Sequence, residues 1–233
     1  MLALKQSLSL PSLRTVGEYV PPSIDNLIAW YKNQAGLSFI DPVPPVIVPT
    51  VSVWEDSSNN SHDMVQATAS EQPTYVTGAL TFVSANLQNL QTTSQISLTG
   101  DFTIGLRIYP SIVGAGTFLA DNTTGGELFK YTSGTRISIK IDASSATVLD
   151  LDDGTFGDDY LIITRASNVV TLWQNGVAQT GTTPTLAGTA DIDAIGIRRT
   201  DTDPFDGTIE EILIYDISNA DLIAKLNTRL ASL

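Results

Sequence analysis

The feature that most constrains this chain is the stretch YLIITRASNVVTLWQNGVAQ at residues 160–179. Residues 160–164 form a short run rich in β-branched and aromatic side chains, which suits a strand. Ala166, Ser167 and Asn168 are small or polar and suit a tight connection. Residues 169–174 then read as a second strand, with Val169, Thr171 and Trp173 on one face and Val170, Leu172 and Gln174 on the other. Asn175-Gly176 follows, the dipeptide favoured where a two-residue hairpin turn needs positive φ at both positions. Because both faces of the second strand carry apolar groups, it belongs inside a sheet covered on both sides.

The rest of the chain repeats this style. Segments VSVW, ALTFV, FTIGLRIYP, GTFLAD, ELFKYT, RISIKID, TVLDLD and IDAIGIR are short and rich in strand formers, divided by Gly, Ser, Thr and Asp. That pattern predicts a β-sandwich or barrel. No fixed-period repeat is visible, which argues against a solenoid or propeller. Residues 208–215 read as a strand with Ile209, Glu211, Leu213 and Tyr215 on one face and Glu210, Ile212 and Ile214 on the other. Residues 41–50, with four prolines in DPVPPVIVPT, cannot form a central strand and read as a stiff surface excursion. The last segment, SNADLIAKLNTRLASL, predicts a short helix with Ser218 as its cap and Asp221 three residues on. Leu222, Leu226, Leu230 and Leu233 lie near one stripe of it.

The chain of 233 residues can bury a core without covalent staples and contains no cysteine, so disulfides, thiolate metal sites and cysteine catalysis are excluded. With 25 acidic and 12 basic residues its formal net charge is −13. A nucleic-acid partner is not expected, since phosphate binding needs basic patches, and membrane insertion is not expected because no run approaches the length of a span. The N-terminal MLALKQSLSLPSL has Lys5 inside the would-be apolar core and does not read as a signal peptide. Instead Leu2, Leu4, Leu8 and Leu10 share one edge of an extended segment. Two readings stand open for residues 1–22: a terminal strand laid on the protein's own sheet, or an anchoring arm that docks on a partner by strand addition.

The ordered series WYKNQAG, the W-x-D-x-S-x-N-x-H-D run at residues 54–63, QPTYV, LWQNGV and FDGTIEEILIYD resembles the LamG-like jelly-roll domains of the concanavalin A-like superfamily. It covers roughly residues 26–233. The resemblance implies an all-β fold of two stacked antiparallel sheets over residues 23–233, with the extended N-terminal arm before it and the short helix at its end. Domains of this style with leucine- and serine-rich leaders are similar to virion structural proteins of tailed phages. That similarity implies a non-enzymatic capsid-decoration or tail component, assembled in the host cytoplasm and exposed on the particle. Its implied partners are other virion proteins reached through the arm, further copies of the chain, and host-surface glycan. The alternative is a carbohydrate-binding, lectin-like module of a secreted or cell-surface bacterial protein.

Catalytic chemistry finds little footing. His62, the single histidine, has Ser61 and Asp63 only as chain neighbours, which does not make a triad. Paired carboxylates for glycoside hydrolysis must face one another across a short gap, whereas Glu210 and Glu211 are adjacent and point to opposite faces of a strand. DLDDGTFGDD at residues 150–159 has Leu161 where an EF-hand needs its bidentate glutamate. TDTDPFDG offers a better cluster of hard oxygen ligands. Asp201, Asp203, Phe205 and Asp206 form the candidate ligand-binding set, and the three aspartates a candidate calcium site, against the alternative of a solvated acidic turn. No cofactor is required by this reading. Trp30, Trp54 and Trp173 could stack on sugars, but their strand-like contexts favour core packing.

Overall fold

Residues 160–179 form the expected pair of strands and turns, and the sheets build outward from them. The structure, a computed structural model, describes residues 21–32, 35–40, 48–111, 116–123, 126–142 and 145–233. The leader with Leu2, Leu4, Leu8 and Leu10 lies outside these residues, as does most of the proline-rich excursion. In chain order the described residues form β1 (Leu27–Tyr31), β2 (Leu37–Ile40), β3 (Thr50–Trp54), β4 (Met64–Val65), β5 (Thr74–Val76), β6 (Ala79–Phe82), β7 (Leu90–Leu98), β8 (Phe102–Pro110) and β9 (Gly116–Asp121). There follow β10 (Gly126–Ser133), β11 (Arg136–Ile139), β12 (Thr147–Asp150), β13 (Asp159–Ala166), β14 (Val169–Gln174), β15 (Val177–Ala178), β16 (Ala190–Ile195), β17 (Gly207–Tyr215) and helix α1 (Ala220–Leu230).

Two antiparallel layers result. In the first, β17 is flanked by β8 on one side and by β6 and then β1 on the other, and the sheet continues through β13, β14 and β15. The second runs β4, β7, β16, β9, β10, β11, β12. β3 pairs with β2, with β4 and, at Thr50, with β5, which pairs with β6, so the layers are joined along one edge. Leu106, Ile163, Leu172, Ile212 and Ile214 from the first layer and Leu90, Phe118, Phe129, Ile137 and Ile192 from the second are buried in the shared core.

Local chemistry sets the turns and irregularities. Ser167 and Asn168, between β13 and β14, have φ of 51° and 68°, and Asn175 and Gly176 have φ of 50° and 83°, the positive values both tight turns need. β17 departs from strict alternation. Its register with β8 shifts between Ile209 and Glu211, which places Glu210 in a bulge. Ile209 therefore joins Ile212 and Ile214 in the core rather than sharing the face of Glu211, Leu213 and Tyr215 as the alternation predicts.

Helix α1 covers the outer face of the first layer. Its cap is Asn219, one residue beyond the expected Ser218, and Asn219 Oδ1 accepts from the Leu222 amide at 2.9 Å. Leu222, Leu226 and Leu230 pack on Leu27, Trp30, Ile162, Leu213 and Tyr215, each burial stabilising by roughly 1.5–3 kcal/mol. Gly105 in β8 lets the helix approach, since a Cβ there would stand 3.1 Å from Leu226 Cδ2 and 3.2 Å from Leu230 Cδ1.

Candidate functional site

Across the outer face of the second layer, Val65, Gln91, Ala194 and Ala120 stand in register on β4, β7, β16 and β9. Their chain neighbours Met64, Leu90, Ile195 and Leu119 point into the core, so this row faces away from it. Around the row the sequence places amides and carboxylates that hold one another. Asn89 Oδ1 accepts from Gln66 Nε2 at 3.0 Å and from Gln91 Nε2 at 2.9 Å. Asn122 Nδ2 donates to Gln91 Oε1 at 3.0 Å. Asp193, almost fully buried where the β16 register shifts, accepts from the Asn122 amide, the Thr123 amide and the Thr123 hydroxyl. Asn122 Oδ1 is shielded from solvent and has no hydrogen-bond partner among the described residues. Thr123 is exposed, Gln66, Gln91 and Asn122 are half-buried, and Val65, 44% exposed, adds an apolar wall.

This arrangement presents hydrogen-bonding groups in fixed positions. Planar amides fixed by neighbours present donors and acceptors in set directions, which suits hydroxyl-bearing ligands. The sequence signal for it was the run QNLQTTSQ, whose polarity hid the strand β7 that carries it. Nearby, His62 Nδ1 lies 2.6 Å from the Ser94 carbonyl oxygen and 3.2 Å from Ser94 Oγ, and Tyr31 Oη donates to the His62 carbonyl at 2.7 Å, so the histidine is held in a turn.

The expected ligand set in residues 201–206 comes apart. Asp203 Oδ2 lies 2.9 Å from Lys130 Nζ and 2.7 Å from Arg198 Nε. Burial alone would raise the Asp203 carboxyl, but the Lys130 and Arg198 cations outweigh it and hold the pKa below the usual carboxylate value. Asp206 Oδ2 instead accepts from the Ser84 amide at 3.1 Å and the Ser84 hydroxyl at 3.0 Å. Asp201 is exposed, with φ of 53°. Phe205 is 1% exposed and packs against Phe82 and Tyr131, so it fills the core rather than meeting a ligand. Among the described residues no group of three or more His, Cys, Asp or Glu side chains is placed to hold a metal ion. The loop is stitched to the second layer through Thr117 N to Asp203 O and Phe205 N to Gly196 O, both at 2.8 Å.

The other acids and aromatics are also engaged. Asp150 bonds Arg136 Nε at 2.6 Å, and Asp152 accepts from the Thr180 and Gly181 amides at 2.7 and 2.6 Å. Glu211 is fully buried and accepts from Trp30 Nε1 at 3.1 Å and Arg229 Nε at 3.0 Å. Glu210 borders a depression of about 300 Å³ with Tyr109, Asp158 and Thr208. Burial raises its pKa, Arg107 opposes that, and Asp158 and Glu211 add to it. Trp30 and Trp54 are core residues as expected, and Trp54 Nε1 donates to the Lys32 carbonyl at 3.1 Å. Trp173 is half-buried beside α1.

Comparison with known proteins brings out one family. The profile of the concanavalin A-like lectin/glucanases superfamily matches residues 84–219. Trypanosoma rangeli sialidase superposes with a TM-score of 0.57 at 14% identity, over 89% of this chain and 33% of that one. The chain thus spans about one third of the sialidase's length. Domain 4 of AbnA, a GH43 extracellular arabinanase from Geobacillus stearothermophilus in complex with arabinotriose, superposes with a TM-score of 0.50 at 15% identity, over 87% of this chain and 98% of that one. At these identities the likeness is one of fold. No curated protein matches the sequence.

Proposed function

The chain belongs to the concanavalin A-like lectin/glucanases superfamily, and from that premise we propose that it is a non-catalytic carbohydrate-binding sandwich. Its ligand lies on the outer face of the second layer, over Gln91, Asn122 and Thr123. The observation that carries this reading is the amide network itself, with Asn89, Gln91 and Asn122 locked in one chain of hydrogen bonds and Asn122 Oδ1 left without a partner among the described residues. Buried polar atoms are nearly always satisfied, so an unpartnered oxygen beside the exposed Thr123 marks this network as the place where a ligand hydroxyl is accommodated when Asn122 turns outward. The arabinotriose held by the similar arabinanase domain supports an oligosaccharide as ligand class. The lack of catalysis is supported by the engagement of Asp193, Asp203, Asp206 and Glu211 with protein donors.

The setting is part of the same proposal. We take the sandwich to be displayed on a phage particle as one of several copies, anchored through the leucine-edged leader. This rests on the sequence pattern of Leu2, Leu4, Leu8 and Leu10, and detection of the protein in purified particles tests it. A glycan array tests the binding. The full chain is expected to retain a defined set of neutral oligosaccharides, with Asn122→Ala and Gln91→Ala each weakening binding about tenfold, the worth of one good hydrogen bond. An array without signal overturns the reading. Turnover of a polysaccharide, abolished by one Asp or Glu substitution, overturns its non-catalytic part.

A further inference from the structure

On the opposite side of the molecule a cleft of about 450 Å³ opens between α1 and the β13–β14 hairpin. Thr164, Thr171 and Trp173 line its sheet side, and Ile223, Ala224 and Asn227 its helix side. Thr164 pairs with Thr171 and Ile162 with Trp173 across the hairpin, and Ile162 packs with the helix leucines, so these positions share the outward face. Two polar atoms of this lining stand out. Trp173 Nε1 and Asn227 Oδ1 are both shielded from solvent and have no hydrogen-bond partner among the described residues. One is a donor and the other an acceptor. Orphaned groups of this kind are rare in folded proteins, and each calls for a physical reason. The hairpin and the helix are each well satisfied elsewhere: Asn219 caps α1 and the β13–β14 ladder is unbroken.

We propose that this cleft is a second binding site, separate from the amide face, and that it takes one neutral hydroxylated ring of sugar type. Three observations select that class. The lining contains no ionisable side chain, so a charged occupant would lose hydration with no counter-charge to replace it. Its apolar part, Trp173, Ile223 and the alanines at positions 166, 220 and 224, fits the C–H face of a ring, and an indole is the usual partner for such a face. Neighbouring hydroxyls on the ring both accept and donate, which matches the N–H of Trp173 and the side-chain oxygen of Asn227 once these side chains turn toward the cleft. The volume lies within the range of small-ligand sites.

The test is a titration of the full chain, labelled with nitrogen-15, with methyl glycosides of glucose, galactose, xylose and arabinose, read at the Trp173 indole N–H resonance. That resonance reports the cleft alone, since Trp30 and Trp54 are buried elsewhere. A saturable shift is expected with at least one glycoside. Trp173→Phe, which keeps a ring but removes the donor, and Asn227→Leu, which removes the acceptor, are each expected to weaken binding about tenfold. Folding of both variants is checked by their thermal unfolding, and the wild-type titration stands on its own if either fails to fold. Absence of a saturable shift with all four glycosides overturns the proposal, as does equal binding by glucuronate, which would contradict the neutral class. Unchanged affinity in both folded variants overturns it as well.

Discussion

Arg229 reaches from α1 to Glu211 on β17, and Glu211 is wholly shielded from solvent. Trp30 Nε1 shares the same carboxylate. A buried pair of this kind adds little net stability over an apolar replacement, but removing one partner leaves an uncompensated charge. Arg229→Met is therefore expected to destabilise the protein by about 3–5 kcal/mol, and Arg229→Met combined with Glu211→Leu to recover much of that loss; urea unfolding of the single and double variants checks both. Sequence alternation puts Glu210 and Glu211 on opposite faces, but the bulge at Glu210 brings both to the outer side of β17, Glu210 beside Thr208 and Tyr109 and Glu211 under the helix. Alternation also misplaced Ile209, because one bulge residue inverts everything before it and nothing in GTIEEILIY marks the bulge. Phe205 was misread for a related reason. An aromatic in an acidic loop looks available to a ligand, yet the loop bonds to β9 at Thr117 and turns that ring into the core.

At the scale of elements, two glycines make opposite predictions. An alanine at Gly105 meets only the flexible ends of Leu226 and Leu230, and is expected to cost about 1–3 kcal/mol as the helix adjusts. An alanine at Gly207 would run into the Tyr109 carbonyl oxygen at a φ of 152°, where backbone rather than side chain must move. Gly207→Ala is expected to be the more damaging of the two, measured as the larger drop in unfolding midpoint. Asn219→Ala should remove the cap of α1 for about 1 kcal/mol, whereas Ser218→Ala, at the position the sequence favoured, should change little. The β13–β14 hairpin, β17 and the helix were legible because their apolar period is strong. β7 was not, because LQTTSQISL keeps its apolar residues at its two ends and its middle, opposite the β16 irregularity, is polar and exposed. That strand carries Gln91, so the candidate site was hidden with it. The acidic loop was legible as acidic but not as occupied, since Lys130 and Ser84 come from distant parts of the chain.

For the molecule as a whole, the ion pairs make stability depend on pH with a definite sign. The carboxyls of Asp150 and Asp152 are held below their usual value, by Arg136 first in one case and by the Thr180 and Gly181 amides in the other, and Asp203 by its two cations against the effect of burial. A group whose folded pKa is lowered stabilises fully above its unfolded value, about 3.9 for Asp, and that contribution is lost as pH falls through the folded value. Glu210, raised by burial, acts in the opposite sense, its contribution being lost as pH rises through its folded value. With three lowered groups against one, the unfolding midpoint is expected to fall as pH drops below about 4, and urea unfolding across that range checks it. A midpoint that rises on acidification would contradict these assignments.

The central claim is that the amide face of the second layer binds carbohydrate, and residue-resolved amide NMR tests it most directly. The oligosaccharide held most strongly on the glycan array would be titrated into the full chain. The account predicts saturable shifts at the backbone and side-chain amides of Gln91, Asn122 and Thr123, the groups joined through Asn89 and Asp193. Saturable binding that leaves those three residues unmoved would contradict it.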